Sequence, residues 1–233
     1  RRVRRFAGSG VALGVAAELP AEDELLEGFA ELRGEGHQLR DVLERKRDIL
    51  RAAAEVFRRK GFHAAGMRDI AAQAGMHAGN LYYYFANKQE LLAFCQQDSL
   101  DQLTVMAREV VGSSESPDTQ LRRLITEHVR ILNEDIPGSL AHLEVEALES
   151  PWRAVIQARR DEYESLLRDI IAAGAAQGVF RDVDAKLAAL AVLGAVNWTV
   201  KWYQPDGSLP ARTIGETFAA TLVDGLCGPR DRP

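Results

Sequence analysis

The chain is poor in cysteine: Cys95 and Cys227 are the only two in 233 residues, and they form neither a CxxC pair nor a Cys/His cluster. That excludes a disulfide-held scaffold and a thiolate zinc site, and it suits a reducing compartment. Long apolar runs are missing too, since none approaches the roughly 20 residues needed to cross a bilayer. No stretch combines period-two alternation with strand-rich composition, so a β architecture finds no support. Net charge is −5, which excludes a uniformly basic coat. What remains, 46% hydrophobic and 27% charged residues, is the make-up of an ordinary globular protein large enough to bury a core.

The charge is unevenly spread. Residues 40–93 carry +4, residues 94–233 carry −7 and residues 1–39 carry −2. A small basic segment joined to a larger acidic one is expected where a single module meets a polyanion. The opening Arg1–Arg5 and the following Phe6–Ala17 have a faint likeness to a secretory signal, but Gly8, Ser9, Gly10 and Gly14 interrupt its apolar stretch. The expectation is a cytoplasmic protein, with residues 1–40 a mobile or loosely helical extension bearing a basic arm.

From Asp41 onward the pattern is helical. Asp41 and Glu44 fit a capping box, and Ile49, Leu50, Ala53, Val56 and Phe57 recur at spacings of three and four, one apolar face of a helix. Lys60-Gly61 supplies a basic last turn and a glycine stop. A short segment, Met67–Ala74, closes at Gly75, and a second runs from His77 to Phe85. Asn87 and Glu90 form another capping box, which opens a long helix through Leu91, Leu92, Cys95, Leu103, Met106 and Val110. Ser116-Pro117 and Ser150-Pro151 each place an N-cap residue before a proline suited to the first helical position. Segments 117–133, 139–149, 151–177, 183–203 and 210–226 complete an all-α chain of about nine helices. The organisation expected is an extension over 1–40, a helix-turn-helix unit over 41–93, a larger helical domain over 94–227, and a tail over 228–233.

Residues 67–85 read MRDIAAQAGMHAGNLYYYF. Ile70, Ala71 and Ala74 make the inner face of one short helix, and Gly75 supplies the turn because it has no Cβ to clash. Met76, Leu81 and Phe85 return to the core. Two short helices joined this way form a helix-turn-helix whose second member enters the major groove. That second helix offers His77, Ala78, Gly79, Asn80, Tyr82, Tyr83 and Tyr84, with Lys88 following. Small residues at 78 and 79 permit close approach to base edges. Asn80 carries the donor and acceptor that pair with adenine. Tyrosine hydroxyls and a lysine ammonium suit phosphates, which position without specifying. Tyr82, Tyr83 and Tyr84 are consecutive and face different sides of a helix, so they cannot all be core.

The stretch MRDIAAQAGMHAGNLYYYFANKQELL, preceded by a helix ending FRRKGF, resembles the DNA-binding domain of TetR-family transcriptional regulators. The family pattern is met by Ile70, Ala71, Ala74, Gly75, Gly79, Leu81, Tyr82, Tyr84, Phe85, Lys88 and Leu91. Two positions depart from it: Gly66 stands where a Thr or Ser usually caps the first short helix, and His77 stands where a hydroxyl residue is common. The resemblance implies phosphate contacts from Arg68, Tyr82, Tyr84 and Lys88, and base contacts from His77, Ala78, Gly79, Asn80 and Tyr83. It also implies an Ω-shaped homodimer that holds two reading helices about 34–36 Å apart on double-stranded operator DNA. The segment GAVNWTVKWYQPDGSL has a shorter likeness to TetR-like regulators, acyl-CoA-responsive ones among them.

For the acidic domain two tasks are expected, pairing and sensing. Ala188, Ala191, Gly194, Ala195 and Trp198, with Phe218, Leu222 and Leu226, are candidate faces of a four-helix dimer interface, or alternatively intrachain core. Met106, Leu124, His128, Trp152, Ile156, Tyr163 and Asn197 are candidate lining for a mostly apolar pocket that holds a small apolar effector or an acyl-CoA, or again plain core. The helix that opens at Asn87 is expected to act as a lever between the two domains. No GxSxG, Walker loop, HExxH or metal-spaced His/Cys set occurs, so no catalytic residues, metal or cofactor are expected. The function expected is a ligand-released repressor. The alternatives are a regulator controlled by a protein partner and a helical enzyme or carrier with an incidental hairpin.

Overall fold

The structure, a computed structural model, describes residues 36–135, 142 and 144–227. The expectations for the extension before residue 36 and for the tail from 228 lie outside the described residues. Helix α1 (Gly36–Ala64) starts ahead of Asp41, so the helix opening expected there is corrected: Asp41 and Glu44 stand inside it. Its predicted apolar stripe is buried from Ile49 to Phe57. Gly61, at φ 74 and ψ 160, breaks the helix in a conformation that an L side chain rarely adopts. Next come α2 (Met67–Gln73), a turn with Gly75 at φ 64, and α3 (Ala78–Tyr84). Gly66 has no side chain to cap α2; instead the Asp69 carboxylate accepts from the Gly66 amide at 3.1 Å.

Helix α4 (Lys88–Val111) opens at Asn87, whose Oδ1 accepts from the Glu90 amide at 2.9 Å. The Glu90 carboxylate accepts from Ala86, one residue earlier than a capping box requires, at 2.7 Å. Helix α5 (Pro117–Arg130) runs on into a single π turn, Ile131–Asp135. Ser116 holds the N-cap position, but its hydroxyl is turned to Asp118 and Thr119.

The helix expected over 139–149 does not form in its described part, where Val145–Ala147 is one 3-10 turn. The reason is a contact from a distant part of the chain. Gln89 of α4 donates to the Ala147 carbonyl at 2.9 Å and accepts from the Glu149 amide at 3.1 Å, so a side chain meets backbone needs that a helix would otherwise meet. Helix α6 (Trp152–Ala176) has Pro151, not Ser150, at its N-cap.

The long helix expected over 183–203 is broken at Trp198 into α7 (Ala185–Asn197) and α8 (Thr199–Trp202). Thr199 Oγ1 donates back to the Val196 carbonyl at 2.7 Å and accepts from Asn133 Nδ2 at 2.8 Å, which draws the chain toward the π turn. Helix α9 (Ala211–Cys227) closes the described chain and lies across α5. At that crossing a Cβ on Gly215 would stand 2.9 Å from the Thr126 backbone, so only glycine admits the approach. No strand occurs among the described residues.

The apolar interior divides in two. One core joins α1, α2 and α3 to the start of α4, and it also takes in Leu148 and Ile156. The other joins the rest of α4 to α5, α6, α7 and α9. Leu91, Leu92 and Leu100 of α4 serve the first, and Leu103, Ala107 and Val110 serve the second. The expected boundary at 93/94 thus falls inside a helix common to both.

Candidate DNA-reading surface and effector core

The outer edge of α3 is turned to solvent. Leu81 and Phe85 anchor the helix in the core, while Gly79, Asn80, Tyr82 and Tyr83 are exposed, Tyr83 at 75%. The Tyr83 ring stands edge-on to Tyr84, centroids 5.2 Å apart, and Tyr84 rests partly on the core. His77 is the exposed N-cap residue and makes no side-chain cap bond, so its ring faces outward. A Cβ on Gly79 would meet nothing within 4 Å among the described residues, which leaves the start of the helix open to an approaching surface. Arg68 on α2 is also exposed. Two expectations are corrected. Ala78 is half-buried and packs its methyl on the core instead of presenting it outward.

The second correction is Lys88. Its Nζ donates to the carbonyls of Phe62 at 2.8 Å, His63 at 3.2 Å and Ala65 at 2.9 Å, and it lies 4.5 Å from the centre of the Phe62 ring. Three N–H groups thus meet three carbonyls left open where α1 breaks. The ammonium fastens α1 to α4; it is not extended toward a phosphate. Lys46 is similarly engaged, 4.8 Å over the Phe94 ring and 5.4 Å over Phe85, and burial lowers its pKa.

The expected effector set is split by the structure. His128, Tyr163 and Asn197 meet in the second core: His128 Nδ1 is 2.7 Å from the Tyr163 hydroxyl, and Nε2 is 3.0 Å from Asn197 Oδ1. Asn197 offers an acceptor, so Nε2 carries the imidazole proton and the Tyr163 hydroxyl donates to Nδ1. Burial pulls the His128 pKa down to about 4 and pushes the Tyr163 phenol up. Leu124 is buried in that core, and Met106 is half-buried against it. Trp152 and Ile156 belong elsewhere, packed on the core of the reading head. An open groove of about 500 Å³ lies between α1, α4 and the π turn, with Met106 and Val105 beside Arg47, Asp101, Arg130 and Asp135.

Of the expected pairing residues, Ala191, Gly194 and Trp198 are exposed, Trp198 at 60%, and Ala195 is half-buried. Ala188, Phe218 and Leu222 are half-buried against the second core, and Leu226 is inside it. Leu187, Leu190 and Trp202 extend the exposed apolar strip. The Trp202 ring lies 6.4 Å from Phe218 and so joins the strip to α9.

Comparison with known proteins decides the family. The model of bacterial regulatory proteins of the tetR family matches residues 49–94, and that of the tetracyclin repressor-like C-terminal domain matches 114–226. The crystal structure of PfmR, a TetR-family regulator from Thermus thermophilus, is 32% identical, covering 76% of this chain and 97% of that one, at a TM-score of 0.70. The chain belongs to the TetR family. The repressor KstR2 of Mycobacterium tuberculosis (strain ATCC 25618 / H37Rv) is 29% identical over 188 residues, which is 79% of this chain and 94% of KstR2. AibR, crystallised with isovaleryl coenzyme A and operator DNA, is 28% identical at a TM-score of 0.68, covering 80% of this chain and all of AibR.

This TetR-family chain is therefore a DNA-binding transcriptional regulator and not an enzyme. None of its described helices is long and apolar enough to cross a membrane. Sequence reasoning passed over several groups of this regulator. Gln89 has no motif, because its partners lie 58 and 60 residues away. Arg160 sits in the run Arg159-Arg160-Asp161-Glu162, which reads as a solvated helix face. The signal lay in its spacing from Ile156, Tyr163 and Leu167, all of them buried.

Proposed function

We propose that this regulator is a cytoplasmic repressor that holds operator DNA as a homodimer and releases it when an apolar acyl compound, free or as its coenzyme A thioester, enters the second core. The observation that carries the DNA reading is the exposed Asn80–Tyr82–Tyr83 edge of α3, on a helix otherwise anchored by Leu81 and Phe85. Asn80 and Tyr83 read base edges, and Tyr82 and Arg68 bind phosphates at the groove wall. Pairing rests on the strip from Leu187 through Leu190, Ala191 and Gly194 to Trp198, with Trp202 and Phe218 beside it. A Cβ on Gly194 or Gly225 would meet nothing within 4 Å among the described residues, so a second copy is free to approach closely there. Two helices from each copy then make a four-helix interface.

The acyl effector is supported by AibR, whose crystals held isovaleryl coenzyme A together with operator DNA, and by a core that combines apolar walls with the His128–Tyr163–Asn197 cluster. A ligand releases DNA by favouring a state in which the two heads stand at the wrong separation. The test selects duplexes bound by the full chain from a random pool, then titrates the selected duplex complex with isovaleryl and dodecanoyl coenzyme A. Sequence-selective binding by two chains per duplex, reversed by an acyl thioester, is the expected result. Selective binding that no acyl compound reverses would remove the effector half of the reading.

A further inference from the structure

Arg160 lies on the inward side of α6. Ile156, Tyr163 and Leu167, one and two turns away, are buried. Its Nη1 donates to the His142 carbonyl at 3.0 Å and lies 3.4 Å from His142 Nε2. A guanidinium carries five N–H groups in a planar fork, yet neither Nε nor Nη2 has a partner among the described residues. No carboxylate among them forms an ion pair with it. Asp161 acts on it only through space, and Glu164, one turn along, stands 3.5 Å from Arg168 instead. A partly desolvated cation without an anion is unfavourable, so such groups normally carry a partner.

The surroundings repeat the pattern. His142 is 3% exposed and its Nδ1 has no hydrogen-bond partner among the described residues. Glu164 Oε1 is buried and lacks a hydrogen bond among the described residues. His142 and His128 lie within electrostatic reach of Arg160, which with burial keeps both imidazoles neutral near pH 7. A neutral imidazole is a donor that assists an oxyanion held by an arginine fork.

We propose that Arg160, assisted by His142, forms the anion-holding end of the effector site and takes two oxygens of a carboxylate or phosphate group on Nε and Nη2. This rests on the acyl-effector reading above and adds that the effector must be anionic. Gln89 ties Ala147 and Glu149 to the start of α4, so an anion at Arg160 acts on the head through that strap.

The test measures calorimetric affinity of the full chain for dodecanoyl coenzyme A, sodium dodecanoate and uncharged dodecanol. Wild type is expected to bind an anionic probe at least about tenfold tighter than Arg160→Gln does, with Arg160→Lys in between. Dodecanol should bind both weakly and alike. Preference for the thioester assigns a phosphate oxyanion, and preference for dodecanoate assigns a carboxylate. Arg160→Gln should keep its affinity for the selected operator duplex while losing release by the anionic probe, which separates this site from the DNA reading. Unchanged affinity of a folded Arg160→Gln for both anions overturns the proposal. So does wild-type binding of dodecanol as tight as that of dodecanoate and the thioester, a comparison that needs no variant, and so does failure of wild type to bind either anion.

Discussion

The Lys88 ammonium reaches the Phe62 carbonyl at 2.8 Å, spanning 26 residues to fasten the broken end of α1 to the start of α4. With the bonds to His63 and Ala65, this clasp makes Lys88 a part of the head's architecture. Lys88→Ala leaves three carbonyls needing other partners, one of them shielded by the Phe62 ring. It is expected to cost about 1–3 kcal/mol, read as a lowered midpoint in urea unfolding. A variant as stable as wild type that merely binds all duplexes more weakly would restore the phosphate role implied by family resemblance.

Asn80 and Tyr82 should separate reading from gripping. Asn80→Ala is expected to change which bases are preferred, at about 1–3 kcal/mol for the lost contact. Tyr82→Phe is expected to weaken all duplexes alike, because a phosphate contact carries no base information. Competition titrations with single-base operator variants measure both. An unchanged base preference in Asn80→Ala would remove its base-reading assignment.

The buried imidazole of His128 makes stability depend on pH. Its pKa is about 4 in the folded chain, against an ordinary value of 6.5, so between those values the unfolded chain binds the extra proton. Stability is therefore full above about pH 6.5 and falls as pH drops toward 4, by on the order of 3 kcal/mol. His128→Gln should reduce that dependence in chemical melts at pH 7.5, 6.0 and 5.0, the buried His142 supplying the part that remains. An equal slope in both proteins would place the titration elsewhere.

Coupling between the cores should run through α4 and the Gln89 strap. Phe94 packs edge-on to Phe85 at 5.5 Å, and Leu103 is buried in the second core. Leu103→Ala is expected to weaken effector response more than operator affinity, and so is Gln89→Ala, which frees the Ala147–Glu149 segment. Titrating DNA with and without dodecanoyl coenzyme A gives the coupling factor. Equal loss of both functions would indicate plain destabilisation.

The head was legible because its signals are local. Gly61 and Gly75 take positive φ where the sequence places stops, and Asn87 caps α4 as its type and position require. Leu81 and Phe85 turn inward while Tyr83 turns out, as period and polarity dictate. What stayed hidden depends on distant partners. Lys88 reads as a free cation until the carbonyls of α1 are folded beside it. Trp152 and Ile156 read as effector lining until the start of α6 is seen against the head. Residues 145–147 carry helix-forming Glu and Ala, but Gln89 bonds the adjoining backbone and a helix there is not needed. Arg160 looks like one more surface charge because sequence cannot show that its neighbours lack partners.

The central claim is that the exposed edge of α3, carried in duplicate, reads DNA. Fluorescence anisotropy on a duplex selected by the full chain tests it most directly, run against a shuffled duplex of equal length and with Tyr83→Ala in parallel. The account predicts two chains per selected duplex, binding tighter than to the shuffled one by about a thousandfold or more, and loss of most of that preference in Tyr83→Ala. Equal affinity for both duplexes, or one chain per duplex with Tyr83→Ala unchanged, would contradict it.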